Sequence, residues 1–140
     1  FISSTFWGER IGYTAALSTL KEFKRLNVFK KTETNGKLIK NIWSDLSKRY
    51  NVPIKLMGTN AIPVFEFCNN HSINKTFLTQ EMLKNKILAT NMIYINIFHN
   101  KNNIKKYIKI LDRIFYDISK KNIKKILKSK VCFKPINRIN

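Results

Sequence analysis

The stretch Ser3-Ser4-Thr5-Phe6-Trp7-Gly8-Glu9-Arg10-Ile11-Gly12, running into Thr14-Ala15-Ala16-Leu17-Ser18-Thr19-Leu20-Lys21-Glu22, sets the frame for the whole chain. In its first half Gly8 and Gly12 loosen the backbone, so it reads as a strand end and a loop. Its second half starts a helix from about Ile11 to Leu26, because Ala15, Ala16, Leu17, Leu20, Phe23 and Leu26 recur at helical spacing. The small residues Thr14, Ala15 and Ala16 let such a helix pack closely on a neighbour.

Downstream, a second helix is predicted from Lys30 to Tyr50. Leu38, Ile39, Ile42, Trp43, Leu46 and Tyr50 fall on one side of it, with Lys37, Lys40, Asp45, Lys48 and Arg49 on the other. Asn51-Val52-Pro53 ends it, since proline cannot continue a helix and restricts the residue before it. Ile54 to Met57 and Ala61 to Phe67 read as strands about the turn Gly58-Thr59-Asn60. Pro63 marks the second strand as an edge or a bulge. A helix near Lys75 to Asn85 comes next, with Phe77, Leu78, Met82 and Leu83 inward and Ser72 or Thr76 as candidate cap. Met92 to Phe98 is predicted as a third strand. Asn100 to Ser119 is a long helix built on Ile104, Tyr107, Ile108, Leu111, Ile114, Phe115 and Ile118, and a Lys-rich helix occupies Lys120 to Lys130. Strands separated by helices, with a hairpin-like pair first, give an α/β reading: a small sheet with helices over one face.

The 140 residues suit one domain. A mean hydropathy of -0.28 and the lack of a long apolar run exclude a membrane span. The chain opens on Phe1 and reads as already under way, so the expectation is a fragment or the tail of a split reading frame. Cys68 and Cys132 make no disulfide framework. His71 beside Cys68 is too small a set for a metal, so no metal site is expected and two free thiols fit a reducing cytoplasm.

A net charge of +19 raises nucleic acid or an anionic surface as a partner. The distribution argues against it, because Lys, Ile and Asn are enriched from end to end, as a coding bias would leave them. The densest run contains Lys120, Lys121, Lys124, Lys125, Lys128 and Lys130. Its spacing puts the lysines on the wet face of a helix carrying Ile123, Ile126 and Leu127 on the other. No aromatic interleaving for stacked bases accompanies them, and the chain has no Walker loop, dinucleotide glycine fingerprint, serine elbow or His-Glu zinc motif.

Taken together, the opening stretch, Thr76-Phe77-Leu78-Thr79-Gln80-Glu81-Met82-Leu83-Lys84 with Ile87-Leu88-Ala89, and Tyr94-Ile95-Asn96-Ile97-Phe98-His99 with Ile104, Tyr107 and Leu111 resemble the C-terminal third of class III aminotransferases. The resemblance is strongest to members like glutamate-1-semialdehyde 2,1-aminomutase, and it covers nearly the whole chain. It implies the C-terminal portion of a type I pyridoxal 5'-phosphate (PLP) fold, with a small, mainly antiparallel sheet covered by helices. Residues 1–28 would be the end of the large domain and the linking helix, and residues 29–140 the small domain. It further implies a cytoplasmic homodimer with a shared active site, acting on a small amino or oxo substrate.

On the same resemblance, Thr5 with Ser4 before it would face the cofactor phosphate of the partner subunit, a role suited to short hydroxyl donors and exposed amides. Trp7, Glu9 and Arg10 would lie at the pocket mouth or in an interface, with a surface ion pair or a helix-start charge as the plain alternative for Glu9 and Arg10. His99 is expected to cap or pack. The strand segment Tyr94-Ile95-Asn96-Ile97 lacks the arginine by which many class III enzymes bind a carboxylate, which suits aminomutase-like members. The Schiff-base lysine is expected N-terminal to Phe1, so no catalytic residue lies on this chain. Alternatives are a non-catalytic remnant of the fold or a basic nucleic-acid-binding module.

Overall fold

The computed structural model describes residues 8–132. Element order is α1 (Arg10–Arg25), α2 (Val28–Tyr50), β1 (Ile54–Gly58), β2 (Pro63–Phe67), α3 (His71–Lys84), α4 (Lys101–Lys120) and α5 (Ile123–Ile126). Helices α1, α2 and α4 track the sequence periodicity closely. At the end of α2, Asn51 takes a left-handed conformation (φ 52) while Val52 N–H donates to Ser47 C=O and Asn51 N–H to Lys48 C=O. That is a Schellman closure, in which asparagine tolerates the conformation that glycine usually supplies. The helix therefore ends on Asn51, with Pro53 beyond it.

β1 and β2 form a two-stranded antiparallel hairpin with Leu56 opposite Phe65 and Gly58 opposite Pro63. Alternation along β2 buries Pro63, Phe65 and Phe67 and leaves Glu66 exposed, so one face of the sheet meets the core. Against that face lie α2, α3 and α4. Trp43, Phe65, Phe77, Phe115, Leu78 and Leu111 are all but fully buried. Side chains of this size stabilise a fold by about 1.5–3 kcal/mol each when fully buried. Edge-on and tilted aromatic contacts run through the centre, with ring centroids 4.7 Å apart for Trp43 and Phe65 and 5.8 Å for Phe67 and Phe115. The Trp43 indole N–H donates to the Tyr107 hydroxyl at 2.9 Å, so the one polar atom the tryptophan brings inward is satisfied.

Several expectations are corrected. The third strand, Met92 to Phe98, is not a strand: it makes one isolated bridge, between Val64 and Met92. The segment nonetheless runs antiparallel to β2, with Ile93 N–H donating to Pro63 C=O and Ile95 N–H to Ala61 C=O. Pro63 has no N–H to return to Ile93, and at the next pair Asn91 answers Phe65 C=O with its side-chain amide at 2.7 Å. The ladder is thus broken where proline sits, and Pro63 lies between two partners, not on a free edge. α3 begins four residues before Lys75, at His71. Ser72 and Thr76 lie inside it, the Thr76 hydroxyl donating to Ser72 C=O, so neither is the cap. Leu83, expected inward, is 52% exposed. The Lys-rich helix is only the single turn Ile123–Ile126. Ile123 is buried as expected, but Ile126 is 39% exposed and Leu127 is already extended.

α1 differs from every other long helix in burying no residue. Ile11, Leu17 and Leu20 are each at least 60% exposed, although Phe23 reaches Phe29 of α2 with ring centroids 5.6 Å apart. Its apolar stripe is real and mostly uncovered. Among the described residues no helix is long and apolar enough to cross a membrane.

Candidate functional site

Ser4, Thr5 and Trp7, the phosphate-facing pair and the pocket-wall tryptophan expected from sequence, lie outside the described residues. Glu9 and Arg10 lie within them. Glu9 stands in extended conformation before α1 without a side-chain capping bond, and Arg10 is the first residue of the helix. Both are exposed, and among the described residues they form no ion pair, with each other or with a third group. Of the two plain alternatives, the ion pair does not form, and Glu9 holds the helix-start position: it is the N-cap residue, an acid beside the positive end of the α1 dipole, with no other acid in the first turn.

Tyr94 and Ile95 still run alongside β2, and the chain then turns over Asn96–His99, with His99 N–H donating to Asn96 C=O at 3.2 Å. Ile95 is buried, Tyr94 is 64% exposed, and the Asn96 carboxamide oxygen accepts the Phe98 N–H at 2.9 Å. His99 closes this turn, its Nδ1 accepting the Asn96 N–H at 3.1 Å. Its partial burial lowers its pKa below the usual histidine value. The cap of α4 is Asn100, whose side chain accepts the Asn103 N–H, so His99 packs and shapes the turn but does not cap. Cys68 and Cys132 are free thiols; the Cys132 Sγ donates weakly to Ser72 C=O at 3.4 Å. His71 turns to the backbone, its Nδ1 accepting the Phe67 N–H. Among the described residues no three metal-ligating side chains converge.

No described lysine is buried. A lysine that forms a Schiff base is activated by desolvation or by a neighbouring cation in a shielded pocket. The described residues therefore hold no lysine in such surroundings. They do line a cavity of about 460 Å³ that sequence reasoning missed, between the 86–96 segment, Ile39 of α2 and the first half of α4, with Lys86, Met92, His99 and Lys106 among its walls. Its residues come from separate stretches of chain, so no sequence spacing announces it.

In architecture the chain is a small α+β unit: a two-stranded antiparallel hairpin, an irregular third segment beside it, and helices packed on one face. Its fold is similar to part of the solved PLP internal aldimine form of the FumI protein from Sphingopyxis sp. MTA144, with a TM-score of 0.67, 18% sequence identity, and coverage of 90% of this chain and 32% of that one. The chain thus spans about a third of that PLP-bound protein and shares the fold of that third. No protein-family model and no curated protein matches the sequence.

Proposed function

We propose that this chain is the C-terminal part of a PLP-dependent enzyme of the class III aminotransferase type, related to glutamate-1-semialdehyde aminomutases. The observation that carries the reading is the fold shared with a third of FumI over 90% of this chain, joined to the sequence resemblance. The enzyme so completed works in the cytoplasm as a homodimer on a small amino or oxo compound, with residues 1–28 closing the large domain and 29–140 forming the small one. PLP, when bound, supplies the electron sink for amino-group transfer. This chain's own part is narrow. Thr5 and Ser4 offer hydroxyl and backbone N–H groups to the phosphate, Trp7, Glu9 and Arg10 border the pocket, and the remainder is scaffold. The Schiff-base lysine belongs to a portion N-terminal to Phe1.

Two measurements test this. Mixed with PLP and treated with borohydride, the purified 140-residue chain is expected to give no lysine adduct; a stoichiometric adduct would overturn the assignment of parts. The coding sequence upstream of Phe1 is expected to hold, in frame, a PLP-binding portion with its lysine. In that longer protein Thr5→Val should weaken PLP binding by about tenfold, the loss of one hydrogen bond to a charged group. A stop codon directly upstream would favour the remnant instead.

A further inference from the structure

The cavity of about 460 Å³ between the 86–96 segment and α4 falls within the roughly 300–1,000 Å³ usual for small-molecule sites. Its floor is apolar, formed by Ile39, Ile87, Met92 and Ile104, while the exposed Lys86 and Lys106 stand at its rim with His99. Among the described residues no aspartate or glutamate lines it, and neither lysine forms an ion pair. With Nδ1 accepting the Asn96 N–H, the neutral His99 ring carries its proton on Nε2 and is a further donor.

Lys86 is singled out by a second, independent observation. It occupies the left-handed position (φ 59) of the Schellman closure of α3, with Lys86 N–H donating to Leu83 C=O at 2.9 Å and Ile87 N–H to Met82 C=O at 3.0 Å. Glycine, or failing that asparagine, suits this position. The other non-glycine residues with positive φ among the described ones are Asn27, Asn51 and Asn70, all obeying that preference. Lysine at the fourth accepts backbone strain and places a cation at the rim of the cavity.

We propose that this cavity binds a small organic anion with a short apolar body, its head held by Lys86 and Lys106 and its tail laid on Ile87, Met92 and Ile104. Carboxylates and phosphate monoesters share that chemistry. The site uses none of residues 1–10 and stands whether or not the chain belongs to a PLP enzyme.

The test is NMR titration of the 140-residue chain with octanoate, octyl phosphate, octanol and inorganic phosphate. Octanoate or octyl phosphate, or both, should shift the Ile87, Met92 and Ile104 methyls saturably, and which of the two binds more tightly identifies the head group. Octanol and inorganic phosphate should bind at least roughly tenfold more weakly than the better anion. Lys86→Gly should weaken that anion about tenfold while raising the melting temperature, since glycine relieves the left-handed strain, and Lys106→Gln should weaken it similarly. Lys124→Gln, away from the cavity, should change nothing. Octanol binding as tightly as the anions, unaltered affinity in Lys86→Gly, or an equal loss in Lys124→Gln would each overturn the proposal.

Discussion

Gly36 sits in the middle of α2, where replacing glycine by alanine ordinarily stabilises a helix by about 1 kcal/mol. Here the sign reverses. A Cβ at this position would lie 1.6 Å from the Asn60 carbonyl oxygen and 2.5 Å from its carbonyl carbon, backbone atoms with nowhere to rotate. The β1–β2 turn would have to lift off α2. Two bonds resist that: Asn60 Nδ2 donates to Glu33 Oε1 at 2.5 Å, and Lys40 Nζ donates to Gly58 C=O at 2.6 Å. Gly58 is itself fixed, with φ 71 and Ile62 C=O 2.2 Å from where a Cβ would be. Overpacking costs about 1–3 kcal/mol, occasionally more, and a clash with backbone belongs at the top of that range. After the propensity gain is subtracted, Gly36→Ala should lose about 2 kcal/mol, a fall in melting temperature of roughly 8 °C for a domain of this size. Urea and thermal melts monitored by circular dichroism measure it. Gly12→Ala is the control. Gly12 lies in exposed α1 with nothing within 4 Å, so alanine there should raise helicity and cost no stability. A Gly36→Ala protein as stable as the parent would mean that the β-turn does not rest on α2 as described, and the packing argument would fall with it.

The core and the interrupted ladder give further outcomes. Tyr107→Phe leaves the buried Trp43 N–H without its acceptor and should cost about 1–3 kcal/mol in a urea melt. Burial holds the Tyr107 hydroxyl well above the usual tyrosine range, with the Trp43 N–H opposing it slightly. A raised folded pKa contributes stability that is intact below the ordinary tyrosine pKa of about 10 and is lost as pH rises beyond it towards the folded value. Alkaline unfolding should therefore begin above that point and release the Tyr107 ionisation in step with the loss of near-ultraviolet dichroism; ionisation well before unfolding would contradict the burial. Pro63→Ala should restore a donor facing Ile93 C=O and turn residues 91–95 into a regular third strand. The backbone amide so created at position 63 should then show slow hydrogen exchange, and fast exchange would show that proline is not what interrupts the ladder.

Much of this fold is legible in the sequence because helical periodicity is a dense signal: α1, α2 and α4 each carry five or more apolar residues at consistent spacing. The hairpin is legible from alternation about Gly58. The third strand is not, because apolar content from Met92 to Phe98 says nothing of the partner, and it is the partner's Pro63 that withholds the donor. The start of α3 is hidden because polar Asn70, His71 and Ser72 look like loop, yet Asn70 can adopt the left-handed turn (φ 51) that launches the helix. The site is less legible than the fold. The phosphate-facing role of Ser4 and Thr5 comes wholly from resemblance, and no local pattern could join Lys86 to His99 and Lys106.

Charge is where sequence and structure most usefully constrain each other. The chain has eight acidic residues against 27 lysines and arginines, so where each carboxylate goes is informative. Glu22 binds Arg25, Glu81 binds Lys84 and Asp117 binds Lys121, all within one helix or at its end, and Asp112 ties Arg49 and Tyr50 of α2 to α4. The Glu22–Arg25 pair, exposed on both sides, is worth little in stability, whereas Asp117 is buried and meets an exposed lysine. Three of these four acids staple their own helix or its end, and Asp112 joins α2 to α4. The described lysines, for their part, are spread over the helices, β1 and the segment after α4, without stacking aromatics between them. A field of that kind draws anions weakly and everywhere, and salt screens it. What sets the cavity beneath the 86–96 segment apart from the open surface is that its cations stand over an apolar floor, where a bound anion leaves part of its hydration behind and a charge counts for more. The proposed anion site is thus a concave place where charge meets apolar surface, and the overall excess of lysine is the background from which it stands out.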